Sequence, residues 1–216
     1  MKYLYGKSWE KYPIKENEVW YDAQTKSSLM VCDIIKDFPD FMLKADMIYC
    51  DPPWNMGNAN CFYTKAGKEK DYIRQFFDFF SFLFDRIQQI SPACCYLEIG
   101  KQNKGIFFDG LKQLFPIVQI WKIKYYNKFP CYLLRGSISS INFDYTGIDD
   151  AKTPYLAIKN ENPLCIADLC TGQGLTAIAC YKLGQRFVGT ELNKRRLAVA
   201  IDKVNKLGGK YEGPIS

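Results

Sequence analysis

Five consecutive residues, Asp51-Pro-Pro-Trp54-Asn55, stand directly after the apolar run Met47-Ile-Tyr-Cys50. Two prolines fix the backbone and carry no N–H, so the carbonyl ahead of them can face a cleft instead of entering a ladder. Asp51 adds an acceptor-only carboxylate and Trp54 a flat π-face. An acceptor pair beside a stacking platform suits a flat group that donates two hydrogen bonds. The –NH₂ of a nucleic-acid base is such a group. A rigid turn capping a strand is the plainer alternative, and what weighs against it is a second constellation in the same chain.

That constellation is Pro163-Leu-Cys-Ile-Ala-Asp168-Leu-Cys170-Thr171-Gly172-Gln-Gly174. An apolar strand runs into a glycine turn and then a helix, so backbone and the first free amides of the helix approach a ligand. The strand Arg186-Phe-Val-Gly-Thr190 follows, with Glu191 at its tip seventeen residues after Gly174. An acid there is placed to accept hydrogen bonds from ribose hydroxyls. The turn is shorter than the dinucleotide fingerprint, because Ala177 stands where a third glycine would come. Asp168 at the strand end would repel a pyrophosphate and attract a cation. S-adenosylmethionine, with an ammonium and a sulfonium, fits this end better than NAD.

Composition removes other chemistries. Nine cysteines and no histidine, without any CxxC, argue for a reducing compartment and against a disulfide framework. Without imidazole there is no Ser-His or Cys-His nucleophile, and no zinc site is expected from cysteines and carboxylates so scattered. The net charge of +6 permits a polyanionic partner without requiring one. Residues 1–20 are charged and lack the apolar core of a signal peptide, and 72–90 holds Asp78, Asp85 and Arg86, too polar to span a bilayer. A cytoplasmic protein without a membrane partner is expected.

The elements that must position these residues alternate between short apolar runs and helical patterns, which predicts an α/β fold with a largely parallel sheet. Strands are predicted over 29–32, 47–50, 94–99, 117–124, 164–169 and 186–190. Helices are predicted over 70–90, 105–114, 175–183 and 194–207, and hairpin or loop over 125–145. The phenylalanines of 70–90 (Phe76, Phe77, Phe79, Phe80, Phe82 and Phe84) form a wide core-facing stripe. No repeat or linker divides the chain, so 1–216 is read as one domain.

Taken together, the motifs resemble those of the DNA amino-methyltransferases, which carry a [DNS]PP[YFW] motif and a DxxxGxG-type cofactor motif. The order is similar to the circularly permuted β group, with the catalytic motif first, and the resemblance covers most of the chain. It implies a Rossmann-like methyltransferase fold, a doubly wound, mostly parallel sheet with an antiparallel hairpin. The cofactor implied is S-adenosyl-L-methionine, and no metal is needed. Asp51, Pro52, Pro53 and Trp54 match the catalytic motif. Asp33, ending Leu29-Met-Val-Cys-Asp33, resembles the acid that contacts the cofactor adenine. Lys152, Thr153 and Pro154 resemble the KP segment near the methionine end, although Thr153 interrupts it. Asp168, Cys170, Thr171, Gly172 and Gly174 fall in the methionine-binding motif, and Glu191 and Leu192 in the ribose-binding one.

The implied reaction is methylation of adenine N6 in DNA, of the restriction–modification kind. Cytosine N4, RNA adenine, or a non-catalytic nucleic-acid-binding subunit of the same fold are the alternatives. A Cys131 nucleophile, prompted by Pro130-Cys131, would imply C5 chemistry instead, but no cofactor signal lies beside it. The target atom lies inside a duplex, so the base must be flipped out or unpaired. Asn55, Tyr63, Lys65 and Lys68 in the loop after the catalytic motif, with Lys122, Lys124, Lys128 and Arg135, are candidate nucleic-acid contacts. The segment 125–150 is short for target recognition, so sequence reading is expected to be slight or supplied by a second subunit.

Overall fold

Continuous apolar strands such as Met47-Ile-Tyr-Cys50 have side chains to bury on both faces, and the fold supplies a core for each. The computed structural model describes residues 7–69 and 76–214. In chain order the elements are α1 (Ser8–Lys11), β1 (Val19–Asp22), β2 (Ser27–Val31), a 3-10 turn (Asp40–Lys44), β3 (Met47–Cys50), α2 (Met56–Ala66) and α3 (Phe76–Ile90). Then follow β4 (Cys94–Ile99), α4 (Lys104–Leu114), β5 (Ile117–Tyr125), β6 (Phe129–Ser137) and α5 (Thr153–Glu161). The last are β7 (Cys165–Asp168), α6 (Leu175–Leu183), β8 (Arg186–Glu191), α7 (Lys194–Lys206) and β9 (Tyr211–Glu212).

The strands form one sheet in the order β5-β6-β4-β3-β7-β8-β2-β1-β9. Its middle, β4-β3-β7-β8-β2, is parallel throughout. The flanks are antiparallel, β6 on β4 and β5 on one side, β1 on β2 and β9 on the other. The sheet is therefore mixed, more so than the expected parallel sheet with one hairpin. The difference arises from β1 and β9, whose short sequences carry no alternation that would announce a strand.

Alternation along β3 feeds the two cores: Met47 and Tyr49 pack with α5, α6 and α7, and Ile48 and Cys50 with α3 and α4. The described part of the Phe-rich helix buries Phe79, Leu83, Phe84, Ile87 and Ile90, whereas Phe77 is exposed. Residues 70–75 of that predicted helix lie outside the described residues. Gly110 lets α4 close on it, since a Cβ there would meet Phe84 and Phe80 within 2.8 Å. At the base of the sheet the Asp46 carboxylate accepts from the amides of Leu164 and Cys165, fastening the start of β7 beside β3. Among the described residues no helix is long and apolar enough to cross a membrane.

Arg135 corrects an expectation. Its place on β6, paired with Tyr96 of β4, turns it inward, and it is only 1% exposed. Its guanidinium donates to both oxygens of Glu161, at 2.7 and 3.2 Å, and to Gln119 Oε1 at 3.1 Å. A cation so enclosed does not reach a phosphate. Removing one partner of a buried pair strands the other. Glu161→Ala is expected to cost about 3–5 kcal/mol in denaturant unfolding, whereas Lys128→Ala at the surface should stay within about 0.5 kcal/mol.

Candidate active site

Five parallel strands end at one edge of the sheet, so whatever follows them in sequence meets in one place. Asp33 comes two residues after β2, Asp51 directly after β3, Glu98 near the end of β4, Asp168 at the end of β7 and Glu191 at the end of β8. All five line a single cavity of about 470 Å³.

The Asp51-Pro-Pro-Trp54 segment forms its floor. Pro52 and Pro53 are buried, and the Trp54 indole N–H donates to Asp51 Oδ1 at 2.9 Å and to the Glu98 carbonyl at 3.1 Å. The indole can lie there because residue 100 is glycine: a Cβ would stand 2.6 Å from the ring. Asn55 caps α2 by accepting from the Asn58 amide, at 2.9 Å. Asp51 is exposed to the cavity, and the protein walls around it push its carboxyl up to about 7, against the Trp54 hydrogen bond and Arg196, which hold it down.

Behind the floor lies a buried acid that sequence reasoning missed. Glu98 Oε1 accepts from the Tyr49 hydroxyl and from Thr153 Oγ1, and burial, then the Asp51 charge, hold its carboxyl well above the usual range. Thr153 Oγ1 also lies 2.8 Å from the Asp150 carbonyl, a second acceptor for its one proton. The signal was available: Glu98 is the single charge in the apolar run Cys94–Ile99, and a charge in a two-sided buried strand needs a reason.

The glycine turn is built from the same carboxylates. Asp168 accepts from the Cys170 amide at 3.0 Å and the Thr176 hydroxyl at 2.7 Å, and burial raises its carboxyl to about 7. Glu191 accepts from the Gly172 amide at 2.7 Å and the Asn193 amide at 2.9 Å, so it shapes the turn itself. Gly174, at φ +84, lets α6 close on α7, because a Cβ would sit 2.7 Å from that of Ala200. At the far wall Asp33 Oδ1 accepts from the Tyr63 hydroxyl at 2.8 Å, while its buried Oδ2 has no partner.

Of the expected cofactor residues, Asp33, Pro154, Asp168, Cys170, Thr171, Gly172, Glu191 and Leu192 line the cavity. Thr153 stands behind it, Gly174 serves helix packing, and Lys152 is exposed away from it. Of the nucleic-acid candidates, Lys65 lines the rim and Tyr63 is buried against Asp33. Asn55 reaches Gln102 at 3.3 Å, and Lys68 pairs with Glu16 at 3.4 Å. Lys122, Lys124 and Lys128 are exposed along the β5–β6 hairpin. Its tip brings two further wall residues, Tyr125 and Tyr126, and Arg196 and Lys203 join from α7. Cys131 is buried in β6 away from this wall, and burial raises its thiol far above the ordinary value. Among the described residues no group of three His, Cys, Asp or Glu side chains could hold a metal.

No family model matches the chain. A release factor glutamine methyltransferase of Mycoplasma mycoides is 31% identical over 100 residues, which are 45% of this chain and 34% of that protein. The chain thus spans about a third of the length of that relative. Three solved structures share the fold along nearly their whole length. M1.HpyAVI with S-adenosyl-L-methionine superposes at a TM-score of 0.55, 18% identical over 82% of this chain and 98% of its own. A candidate DNA modification methylase of Thermus thermophilus, complexed with the same molecule, gives 0.57 and 14% over 87% and 99%. The cytosine-N4-specific PvuII DNA methyltransferase gives 0.53 and 11% over 89% and 95%. The chain has the α/β architecture of these methyltransferases.

A prediction follows from the enclosed Asp51. An aspartate titrates near about 3.9 in an unfolded chain, against about 7 here. The folded state therefore holds the extra proton, and the stability that this contributes is complete below about pH 4 and is lost as pH rises through about 7. In thermal melts of ligand-free protein, Asp51→Asn is expected to unfold at a higher temperature than the wild type at about pH 8 and to flatten the decline between about pH 4 and 7. Parallel curves for the two proteins would show that Asp51 is not confined in this way.

Proposed function

We propose that this protein transfers a methyl group from S-adenosyl-L-methionine to the exocyclic amine of a nucleic-acid base, with adenine N6 in DNA as the first target to test. The observation that carries this reading is the meeting of Asp51-Pro-Pro-Trp54 and the Asp168–Gly174 turn, at the ends of adjacent strands β3 and β7, in one cavity. The central order β4-β3-β7-β8-β2 is read as a doubly wound sheet whose catalytic strand precedes its cofactor strand in sequence, a permuted arrangement.

The residues present fit the cofactor. Asp33 Oδ2 is a buried acceptor without a donor, which suits the amine of an adenine. Glu191 and Leu192 would flank the ribose, since each Glu191 oxygen keeps a second lone pair beyond its bond to the backbone. Asp168, Cys170, Thr171, Gly172 and Pro154 would surround the methionine end, where the acid surplus offsets its ammonium. When bound, the cofactor supplies an electrophilic methyl on a positively charged sulfur.

What the chain's own residues do is orient and polarise. A base amine is a weak nucleophile because its lone pair is delocalised into the ring. Asp51 Oδ2 and the Pro52 carbonyl would accept its two N–H groups, drawing the nitrogen toward tetrahedral geometry, while Oδ1 stays with Trp54. The nitrogen so held would be directed at the cofactor's methyl, and Asp51 would take the proton that the nitrogen sheds on methylation. Residues 125–150 are used by β6 and its return to α5, so sequence selection is slight or comes from a second subunit.

A second reading has its own support in the partial likeness to a glutamine methyltransferase. A carboxamide is also a planar –NH₂, and the acceptor pair alone does not separate it from a base. The exposed lysines of the hairpin and the aromatic wall favour the base.

Nucleoside mass spectrometry after incubation with cofactor and DNA or RNA, beside a glutamine-containing peptide, decides between the two. Methylated peptide with unmodified nucleic acid would overturn the proposal. Asp51→Ala is expected to abolish transfer while calorimetry still finds the cofactor bound. Asp33→Ala should instead weaken cofactor binding by about tenfold or more, as loss of a hydrogen bond to a charged group does.

The pH profile tests the pairing of Trp54 with Asp51. The acid limb of kcat/KM reports the free enzyme's essential groups and is expected near pH 7, where Asp51 titrates. Trp54→Phe keeps a ring but loses the N–H that holds the carboxyl down, so the limb should move to higher pH. An unmoved limb would separate Asp51 from the rate.

A further inference from the structure

We infer that the tip of the β5–β6 hairpin is a second stacking site, one that receives the unpaired base next to the target on the same strand and so makes single-stranded or locally opened nucleic acid the substrate. This rests on the nucleic-acid reading above and goes beyond it, because it assigns residues of the hairpin that the catalytic motif does not include.

Three aromatic rings run from the floor of the cleft to the surface. Trp54, bonded to Asp51, meets Tyr125 edge to face at 5.0 Å between centroids. Tyr125 meets Tyr126 at 4.2 Å. Tyr126 lines the cavity and is nevertheless 63% exposed, so the row ends in a ring largely open to solvent. Phe129, across the tip, is 55% exposed as well. The row begins at Trp54, beside Asp51, and ends at an open ring, so it offers aromatic surface along one path out of the cleft.

The backbone supports the assignment. Tyr126 and Asn127 both adopt positive φ, +50° and +53°, closing a two-residue turn in which the Lys128 amide donates to the Tyr125 carbonyl at 3.1 Å. Such turns favour glycine, asparagine or aspartate, and a bulky side chain there is strained. The strain is held from inside the site: the Tyr126 amide donates to Asp150 Oδ1 at 2.9 Å, and Asp150 itself lines the cleft. A residue kept in an unfavourable conformation beside a cleft, with its ring in solvent, is poorly explained by folding alone.

Charge identifies the occupant. Lys122 and Lys124 are exposed on β5 and Lys128 on the turn, so cations precede and follow the two tyrosines. Aromatic faces interleaved with lysines are what a single strand requires, its bases on the rings and its phosphates on the cations. Asp149, half-exposed beside Lys124, is the acid on this edge. A duplex would keep its bases paired and offer the tip only its backbone.

The test uses thymidine 12-mers that hold one adenine or one cytosine, alone and annealed to their complements, with binding followed by fluorescence anisotropy. The wild type is expected to bind the single strands more tightly than the duplexes. Tyr126→Gly should weaken single-strand binding by about tenfold and hold or raise the melting temperature, because glycine relieves the turn. Tyr126→Trp should restore binding. Equal affinity of Tyr126→Gly and wild type for the single strands, or a wild type that prefers duplex, would overturn the inference. Binding that follows this pattern without any methylated nucleoside would sink the proposed reaction and leave the stacking site standing; methylation that is indifferent to Tyr126 would do the reverse.

Discussion

Six carboxylates share one cavity, and the site is arranged around keeping them there, partly out of water. Asp33, Asp51, Glu98, Asp150, Asp168 and Glu191 all line it, while Lys65, Arg196 and Lys203 are its cations. They are together because parallel strands end on the same side, and a sheet that brings five strand ends to one edge concentrates whatever follows them. Burial raises Asp51 and Asp168 to about 7 and Asp150 to about 6. Without a ligand the cleft is therefore costly to ionise fully, and a cation entering it would meet acids already close to releasing their protons.

These acids fall into two groups by what they already hold. Glu191 and Asp168 accept from backbone amides of the glycine turn and of Asn193, Asp150 accepts from the Tyr126 amide, and Glu98 is closed off by Tyr49 and Thr153. Their first task is to shape the walls. Asp33 and Asp51 both line the cavity and each keeps one carboxylate oxygen tied, to Tyr63 and to Trp54; the second oxygen of Asp33 is buried without a partner. A carboxylate fastened by one oxygen has a fixed direction, so its free oxygen recognises by position. The two follow β2 and β3, with β7 and β8 between those strands in the sheet, so on the proposed reading one would meet the cofactor and the other its acceptor.

Much of this was legible in the sequence. Strands β3, β4, β7 and β8 announced themselves as apolar runs, and the two motifs at their ends named the site before its geometry was known. What escaped has physical reasons. β1 and β9 are four and two residues long, and are held less by pattern than by Asp22, which accepts from the amides of Gln24, Thr25 and Lys210. Arg135 has the composition of a surface cation, and only the pairing of β6 with β4 shows that it faces inward. Tyr125 and Tyr126 sat in a segment read as hairpin or loop, and nothing local says that a turn closed by tyrosine and asparagine will stand beside Asp51. Residues brought together by sheet order, with no shared motif, are the ones that sequence spacing conceals.

On the proposed reading, the contrast between the cleft and the surface would give the site its selectivity. The chain as a whole carries a net charge of +6, yet among the charged residues of its cavity six acids face three cations. At physiological salt, charges are screened over about 8 Å, so a strand arriving at the rim meets Lys124, Lys128 and Lys65 before it meets the floor. A phosphate is attracted there and repelled deeper. A neutral base with an amine edge is not repelled, and it finds acceptors at the bottom with aromatic rings along the way. On the proposed reading the same electrostatics that make the empty cleft unfavourable keep the backbone of the strand outside, so that only the base enters.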